Sequence, residues 1–559
     1  MKFLRLIAIV SVAIFLIKCA QPRPVTGGIE DETSPQIIES VPNNFTTNFI
    51  GQTIMMEFDE YVLVKSLSSE LVVSPPLNYP IEYRIKGKRV YFDIKDTLRA
   101  NTTYNFNFGN AVVDLNEGNA LDSNLFVIST GDFIDSGFVT GIVKDAYTLK
   151  PIKNATVLLF SSLEDSAIYK GGPTYIAKTN GQGMYRLQYL QNVDYQIYAL
   201  EFPGAEYNYQ PFTNVGFFPE LVNPSVNDTV DFFLFKEHDS SQYITKDFSK
   251  DYFSFVVGFH NDLVNPGFTF GPEFDTVNYI VEEIQPDSFK FWIENDIDLD
   301  SVWLYVGDES GYRDTVGFDL DDRTKFYKKL KRKGKSKFPV KLKLNTKAGA
   351  FDYFDSLELT FTRPPRSWNP DSVQFVIGKD TMPVDSLMKL QLLYMELPYA
   401  KEGKIKDIRV MPIKYKWEQG TDYAFIFYSG AVTDLIGHTN DTTILKVKTK
   451  TFEDYGSFRL TVKVPDYEGP LVLELLDENG KFLRDYKIHS GDDIYHELAV
   501  PGKYQMRLII DENGNDKWDT GELENEIQAE TIVYYNGVVE IRPNWDMEET
   551  WVVTFKHLR

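Results

Sequence analysis

The sequence predicts an all-β protein built from several β-sandwiches in tandem. Short stretches of alternating apolar and polar residues are separated by turn residues about every 8 to 12 positions, which is typical of sandwiches. Phe and Tyr, with 41 and 33 residues, are abundant and favour strands. A chain of 559 residues is too long for one hydrophobic core. We therefore expect about four or five domains.

The first residues predict an exported protein. Lys2 and Arg5 precede an apolar run from Leu6 to Ile17, interrupted by Ser11. The run has the length of a signal-peptide core and is short for a spanning helix of about 20 residues. It leads to Cys19, the single cysteine, which has no partner for a disulfide. We interpret residues 1–18 as a signal peptide.

The sequence Leu16-Ile17-Lys18-Cys19 resembles a bacterial lipobox, which implies that the Cys19 thiol carries a diacylglycerol. Lys18 departs from the small residue of that pattern, and the alternative is a free thiol after an N-terminal anchor. Residues 19–34, rich in Pro and Gly and then acidic, are interpreted as a lipidated tether. The acidic residues at 30–32 also resemble the surface-export signal of Bacteroidota lipoproteins, although they lie farther from Cys19 than is usual there. A solvated linker is the alternative.

Residues 35–131 are predicted to form the first sandwich. Its motifs are Phe58-Asp59-Glu60, Thr102-Thr103-Tyr104, the turn from Asp114 to Asn119, and Ser129-Thr130-Gly131. They resemble the SbsA-type bacterial Ig-like domain, although the turn is one residue longer than the family spacing. The resemblance covers about a fifth of the chain. It implies a fold and not an activity.

Residues 132–240 are predicted to form a second sandwich of another type. GFVTGIVKDAYTLKPIKNATVLLF and TYIAKTNGQGMYRLQYL resemble the carboxypeptidase-regulatory, transthyretin-like sandwich. In that pattern a G-x-V strand leads through a polar turn to V-x-L, and a T-x-x-x-G-x-Y strand returns. The resemblance implies a fold that accompanies enzymes and carries no catalytic residues of its own.

An internal repeat extends this order into the C-terminal half. WEQGTDYAFIF aligns with LRANTTYNFNF, and the alignment pairs Tyr423 with Tyr104, Asp434 with Asp114, Thr449 with Thr130 and Gly456 with Gly137. We therefore expect a β-rich domain over 241–350, a divergent second Ig-like domain over 351–455 and a second transthyretin-like domain over 456–559. Tyr423 should be buried at the position equivalent to Tyr104.

The sequence shows no catalytic constellation. Its six histidines are dispersed, and none lies in a G-x-S-x-G or H-E-x-x-H setting. His489 and His496 come nearest to a pair, and we interpret them as surface residues on either side of a turn. The formal charge of -23 argues against a nucleic-acid partner, because affinity for phosphate backbones comes from Lys and Arg. We expect a protein that is not an enzyme and binds no nucleic acid.

The loop DENGNDKWDTGE near the C-terminus has the donor spacing with which a loop wraps Ca²⁺. Its predicted ligands are the side chains of Asp511, Asn513, Asn515, Asp519 and Glu522 and the carbonyl of Lys517. Asp516 occupies the position where an EF-hand has glycine, and the sequence predicts no flanking helices. The alternative is a polar hairpin turn without calcium.

One basic stretch, from Phe326 to Thr346, stands out in this acidic chain. Its cations are candidate contacts for lipopolysaccharide phosphates or an acidic partner surface. They are Lys328, Lys329, Lys331, Arg332, Lys333, Lys335 and Lys337. A solvated hairpin loop is the commoner outcome for such a stretch.

The anchor, the tandem sandwiches and the missing catalytic motifs together resemble the large Ig-like lipoproteins of Bacteroidota. The resemblance implies a non-catalytic outer-membrane lipoprotein that faces the cell surface or, alternatively, the periplasm. It would act as a scaffold or accessory subunit of an outer-membrane protein complex, with assembly or export machinery as the favoured partner. The alternative is a glycan-binding or adhesion lipoprotein, which exposed aromatic side chains on one sheet face would favour.

Overall fold

The structure is a computed structural model. It describes residues 32–122, 124–204, 206–226, 229–251, 254–271, 279–293, 301–319, 328, 332, 339–346, 349–382, 408–413, 415–465 and 467–554. Regular structure in these ranges is nearly all β-strand, so the predicted all-β class is confirmed. No helix in the described ranges is both long and apolar enough to cross a membrane.

The chain divides into two compact units. Unit 1 contains the described residues up to Glu237 together with the segment Asp519–Glu530. Unit 2 contains His238–Trp518 and the described residues from Thr531 onward. One unit is therefore completed by a segment that is distant in sequence.

The first sandwich, in unit 1, has nine strands that enclose one apolar core. They are β1 (Ile37–Val41), β2 (Thr53–Phe58), β3 (Val62–Val64), β4 (Val72–Ser74), β5 (Glu82–Lys86), β6 (Arg89–Asp93), β7 (Thr103–Asn107), β8 (Val112–Asp114) and β9 (Leu125–Ser129), with the short helix α1 (Leu67–Glu70) before β4. The sheets have the orders β1-β2-β6-β5 and β4-β7-β9, and β3 pairs with β8. Alternation in β2 buries Ile54, Met56 and Phe58, which points them into the core.

The second sandwich, also in unit 1, has seven strands. They are β10 (Gly137–Asp145), β11 (Thr156–Phe160), β12 (Tyr175–Lys178), β13 (Met184–Leu190), β14 (Gln196–Leu200), β15 (Val215–Phe217) and β16 (Phe232–Leu234), with helix α2 (Ala167–Lys170) after β11. The sheets have the orders β13-β10-β16 and β12-β11-β14-β15, and β10 runs parallel to β16. Strand β11 is buried along its whole length, as expected for a central strand covered on both faces.

The segment Asp519–Glu530 completes unit 1 at the end of the second sandwich. Thr520 Oγ1 donates to the carbonyl of Lys236 at 2.6 Å, and the Leu523 N–H donates to Glu237 Oε1 at 2.7 Å. A Cβ at Gly521 would lie 2.6 Å from the ring of Phe235, so glycine permits the close contact. The segment is therefore an integral part of unit 1.

The third sandwich, in unit 2, has an aromatic core. Its strands are β17 (Ile244–Asp251), β18 (Ser254–Phe259), β19 (Gly267–Phe270), β20 (Tyr279–Gln285), β21 (Ser288–Ile293), β22 (Ser301–Gly307) and β23 (Arg313–Asp319). The sheets have the orders β17-β18-β21-β20 and β19-β22-β23. Phe255 and Phe291 stack with ring centroids 5.0 Å apart, and Phe318 packs on Phe255 at 4.6 Å. This geometry falls in the favourable range for aromatic pairs.

The fourth sandwich repeats the topology of the first. Its strands are β24 (Leu342–Leu344), β25 (Ala350–Phe351), β26 (Leu357–Phe361), β27 (Pro365–Trp368), β28 (Val373–Ile377), β29 (Asp380–Met382), β30 (Val410–Ile413), β31 (Asp422–Phe427), β32 (Val432–Asp434) and β33 (Thr443–Thr449). The order β24-β26-β30 corresponds to β1-β2-β6, β28-β31-β33 corresponds to β4-β7-β9, and β27 pairs with β32 as β3 does with β8. Val340 and Leu342 lie in this core, so the sandwich begins before the expected boundary at residue 351.

The third and fourth sandwiches join within unit 2 through an ion pair between the buried Glu282 and the half-buried Arg409. Both Glu282 oxygens accept from Arg409 Nε at 2.9 Å, and Glu282 Oε2 also accepts from Trp292 Nε1 at 2.8 Å. The Arg409 guanidinium lies 5.5 Å from the Trp292 ring centroid. Because Glu282 is buried, these partners are what make its charge tolerable there.

The fifth sandwich repeats the topology of the second. Its strands are β34 (Gly456–Lys463), β35 (Leu471–Asp477), β36 (Phe482–Ile488), β37 (Asp493–Ala499), β38 (Gly502–Ile510), β39 (Ile532–Tyr534), β40 (Val539–Ile541) and β41 (Asp546–Val552). The orders β37-β34-β41 and β36-β35-β38-β39 match those of the second sandwich. Strand β34 runs parallel to β41, as β10 does to β16. The internal repeat is thus present in the strand topology of both sandwich types.

The aligned tyrosines occupy the same place in the first and fourth sandwiches. Tyr104 and Tyr423 are each 2% exposed. The hydroxyl of Tyr104 accepts from the Arg99 N–H, and that of Tyr423 accepts from the Glu418 N–H, both at 2.9 Å. In each case the donor lies five residues upstream of the tyrosine. We call this arrangement a tyrosine corner, and the two corners are equivalent.

The aligned aspartates both close a turn, but with different partners. Asp114 Oδ1 accepts from the N–H groups of Asn116, Glu117 and Gly118 at 2.7 to 3.0 Å, and Oδ2 accepts from Asn119 N–H at 2.7 Å. These backbone donors, with Gly118 foremost, lower the pKa of Asp114 to about 2. The carboxylate therefore stays charged while it holds the turn.

Asp434 uses a side-chain cation as well as the backbone. Its Oδ1 accepts from the N–H groups of Ile436 at 3.1 Å and His438 at 2.7 Å, while Oδ2 accepts from Arg363 Nε. Both members of this ion pair are buried. Burial is also the main cause that lowers the pKa of the His438 imidazole.

Candidate functional site

A groove of about 1230 Å³ lies in unit 1 between the first and second sandwiches. We call it the inter-sandwich groove. Asn105 and Asn107, which alternate with buried aromatic residues on β7, line one wall, and Arg186 and Gln188 on β13 line the other. Each pair is two residues apart on its strand, so each projects from one sheet face.

The floor of the groove is formed by hydrogen bonds between the two sandwiches. Asn105 Nδ2 donates to the Gln188 carbonyl at 3.1 Å. The Ile176 N–H on β12 donates to the buried Ser74 Oγ on β4 at 3.0 Å. Lys178 Nζ donates to the Ser69 carbonyl at 3.1 Å. These contacts fix the two walls relative to each other, so the fold of unit 1 determines the shape of the groove.

The groove is cationic in an otherwise acidic chain. Among the described residues that line it are Lys153, Lys178 and Arg186 and two carboxylates. Glu70 Oε2 accepts from the Asn110 N–H at 3.1 Å, and Asp231 Oδ1 accepts from the Ile142 N–H at 2.8 Å. Each carboxylate thus has a backbone donor. The described side chains of the lining carry a formal net charge of +1, with three cations and two carboxylates.

A second candidate surface is the outer face of the sheet β19-β22-β23. Trp303 and Tyr305, two residues apart on β22, are 52% and 47% exposed, while the residues that alternate with them are buried. A Cβ at Gly317 on the paired strand would lie 3.2 Å from the Trp303 ring, so the indole lies over the sheet there. We call Trp303 and Tyr305 the aromatic face.

The predicted calcium loop is held by Asp511. This carboxylate is fully buried and accepts from the N–H groups of Gly514, Asn515 and Asp516 at 2.7, 3.2 and 2.9 Å. Asn513 Oδ1 accepts from Asn515 N–H, and Asn515 Oδ1 accepts from Lys517 N–H, at 3.0 and 3.1 Å. The side chains thus cap a polar turn.

The last third of that loop, from Asp519 to Glu522, belongs to unit 1. The Asp519 N–H donates to Glu530 Oε2 at 3.0 Å, and Glu522 Oε2 accepts from Asn525 Nδ2 at 2.7 Å. Among the residues that the structure describes, no three His, Cys, Asp or Glu side chains are grouped to hold a metal ion. Calcium binding by this loop stays a prediction of the sequence.

Other predicted site residues fall partly outside the described ranges. Cys19 and most of its tether lie outside them. Lys328 and Arg332 of the basic stretch are described and exposed, whereas Lys329, Lys331, Lys333, Lys335 and Lys337 lie outside. His489 Nδ1 lies 4.0 Å from Asp492 Oδ2, and His496 Nδ1 lies 3.0 Å from Arg484 Nη1. The two histidines therefore have separate partners.

Sequence reasoning did not find the inter-sandwich groove. The one local signal was the pair of amides at outward positions of the strand TYNFN, where a solvated face would serve equally well. The opposite wall lies about eighty residues later in the chain, and no spacing rule connects the two. The aromatic face was anticipated only as a criterion that would favour glycan binding.

Comparison with known proteins supports the Ig-like assignment. Residues 31–130 match the bacterial Ig-like domain family. The match covers the first sandwich, where the motifs around Phe58, Tyr104 and Asp114 carry the resemblance. No curated protein matches the chain.

Solved structures of low similarity cover much of the chain. The Bacillus anthracis TIE protein is 12% identical, with 95% of this chain and 76% of that chain covered and a TM-score of 0.14. BcpA, the major pilin subunit of Bacillus cereus, is 10% identical, with 75% and 99% covered and a TM-score of 0.14. The Bacteroides ovatus protein SGBP-B, from a mixed-linkage glucan utilization locus, is 9% identical, with 72% and 93% covered and a TM-score of 0.17. At these TM-scores, the likenesses carry no argument about function.

Proposed function

We propose that the protein is a non-catalytic lipoprotein of the outer membrane, on the cell-surface side, that acts as a scaffold or accessory subunit of an outer-membrane protein complex. We favour machinery that assembles or exports outer-membrane proteins as the partner. The periplasmic side is the alternative location.

One observation carries this proposal: the two copies of the sandwich pair preserve buried structural contacts and not a shared site. The tyrosine corners at Tyr104 and Tyr423 are the same in both copies. The amides Asn105 and Asn107 are replaced by Ala424 and Ile426 at the aligned positions. What the two copies retain in common is what their cores need, and this supports a scaffold role.

Co-purification tests the scaffold role. The tagged full-length protein, extracted from membranes in mild detergent, should bring down a specific outer-membrane protein in constant ratio. A tagged lipoprotein of similar abundance but unrelated sequence is the control and should not. Cys19→Ser should move the protein to the soluble fraction, because the lipid is the proposed anchor.

Two results would contradict this proposal. Recovery of the same proteins with the control lipoprotein would show that co-purification reflects shared detergent micelles. A Cys19→Ser variant that still pellets with membranes and resists salt washing would show that lipid is not the anchor.

The aromatic face supports a second candidate function, binding of a neutral glycan. Aromatic rings presented flat on a sheet are suited to stacking against sugar rings, as they are against other planar or apolar faces. In this role Trp303→Ala/Tyr305→Ala would lose retardation in affinity electrophoresis with a neutral polysaccharide. Tyr495→Ala/Trp545→Ala, which removes two rings of similar exposure from the fifth sandwich, would not. Equal retardation of all three proteins would exclude this face as a glycan site.

A further inference from the structure

We propose that the inter-sandwich groove binds an acidic oligosaccharide whose sugars carry carboxylates. This goes beyond the scaffold role, and it concerns a different surface from the aromatic face. The inference rests on three properties of the groove. They are the amides on its walls, its excess of cations over carboxylates, and backbone groups at its floor that are already hydrogen-bonded.

The amides suit a ligand covered with hydroxyl groups. Asn105, Asn107, Asn110, Asn154, Asn180 and Gln188 all line the groove. An amide side chain offers a donor and an acceptor side by side, and a sugar hydroxyl also both donates and accepts. Asn107 is exposed on a strand whose other face is in the core, so its position is set by the sandwich. Asn105 is 8% exposed and already donates to the Gln188 carbonyl, so it holds the wall in place.

The cations define the charge of the ligand. Lys153 and Arg186 are exposed at the groove, and the Arg186 guanidinium lies 5.1 Å from the Phe138 ring centroid, which restrains it. Lys178 contributes a third positive charge. The whole chain has a formal charge of -23, so a cationic groove runs against its composition. A carboxylated sugar complements this charge, and an arginine can hold a carboxylate with two hydrogen bonds.

The backbone groups argue against an extended peptide as the ligand. A peptide strand would bind through main-chain groups at a sheet edge. At the floor of the groove, the Gln188 carbonyl already accepts from Asn105 and the Ile176 N–H already donates to Ser74. The walls consist of side chains that project from sheet faces. A ligand rich in hydroxyl groups can form hydrogen bonds with these side chains.

The lining also argues against a neutral glycan held by stacking. Tyr185 is the single aromatic residue among the described residues of the lining. It is 4% exposed and donates its hydroxyl to the Val230 carbonyl at 2.8 Å. Stacking platforms must be exposed to meet a sugar ring. Recognition in this groove therefore depends on hydrogen bonds and charge.

The test is a titration of the full-length protein with defined oligosaccharides, followed by calorimetry. An alginate hexasaccharide should bind, and cellohexaose, of the same length without carboxylates, should bind at least about tenfold more weakly. Lys153→Ala/Arg186→Ala should weaken alginate binding at least about tenfold, as expected when charged hydrogen bonds are lost. Raising the salt concentration should weaken binding by the wild type more than by this variant.

A matched control separates the groove from general electrostatics. Lys86→Ala/Lys150→Ala also removes two positive charges from unit 1, but at positions outside the groove lining. It should bind alginate as the wild type does, and both double variants should keep the wild-type melting temperature. The proposal is overturned by no alginate binding, by equal loss in the two double variants, or by cellohexaose binding as tightly. Binding of hexaglutamate with the affinity of alginate would overturn it in favour of an acidic peptide.

Discussion

The first and fourth sandwiches place a buried aspartate at the same turn and satisfy it in different ways. Asp114 depends on four backbone N–H groups, whereas Asp434 has two and adds Arg363. Strands β2 and β26 end at equivalent phenylalanines, so the position of Arg363 corresponds to Glu60 in the first sandwich. The fold therefore requires a closed turn at this position, whereas the partner of the turn's carboxylate can differ between the two sandwiches.

The largest difference in stability between the two sandwiches should come from removing Arg363, the side-chain partner of Asp434. Arg363→Ala would leave the Asp434 carboxylate buried without its cation and should destabilise the fourth sandwich by about 3–5 kcal/mol. Glu60→Ala at the corresponding position should change the first sandwich by less than about 0.5 kcal/mol. Hydrogen exchange of the β32 and β8 amides in the full-length protein measures both.

A double variant checks the cause of this effect. Asp434→Asn in the Arg363→Ala background removes the uncompensated charge and should recover part of the lost protection. If Arg363→Ala costs less than about 1 kcal/mol, the backbone donors alone satisfy Asp434 and the two turns are equivalent after all.

An intermediate loss of stability, equal in the two sandwiches, is expected at the buried tyrosines, where the hydrogen bonds are the same in both copies. Tyr104→Phe and Tyr423→Phe each remove the acceptor of one backbone N–H and should cost about 1–2 kcal/mol. The amides of Arg99 and Glu418 should then exchange about 5 to 30 times faster. A loss confined to one copy would show that the corners differ in energy despite their matching geometry.

The smallest effect should be a pH dependence found only in the fourth sandwich. Burial lowers the pKa of His438, so the unfolded chain takes up its proton at higher pH than the folded one. The free energy of unfolding of the fourth sandwich should be constant above about pH 6.5. It should decrease by less than about 1 kcal/mol as the pH drops below that value. Asp434, whose charge raises the pKa, and Arg363, whose charge lowers it, both face this histidine.

His438→Asn is the matched variant, because Asn119 closes the corresponding turn in the first sandwich. It should remove the pH dependence between pH 7.5 and 5.5. The exchange protection of the first sandwich, corrected for the intrinsic pH dependence of amide exchange, should not change over that range, since the pKa of Asp114 is about 2 and its carboxylate stays charged. A pH dependence that persists in the variant would assign it to another group.

Local patterns were enough to predict most of the fold. Alternation and turn residues give the strands, and the motif around Tyr423 and Asp434 gives their equivalence to Tyr104 and Asp114, because each of these signals lies within a few tens of residues. The start of the fourth sandwich at Val340 was missed since its first strand is short and follows the basic stretch.

Long-range placement was not predictable in the same way. The groove requires Asn105 and Arg186 to face one another, and the segment Asp519–Glu530 requires contacts with Lys236 and Glu237. Such contacts depend on the packing of complete sandwiches, which leaves no periodic trace in the sequence. The two most informative surface features of unit 1 are therefore visible only in the structure.

The assignment of Asp519–Glu530 to unit 1 has a consequence for biosynthesis. Domains that are continuous in sequence fold as they emerge, the N-terminal ones first. The second sandwich can form its sheets early, but its contacts at Lys236 and Glu237 wait for a segment made near the end of translation. Until then the ring of Phe235 lacks the chain that packs on it. The unit that is synthesised first thus waits for a segment that is made near the end of the chain.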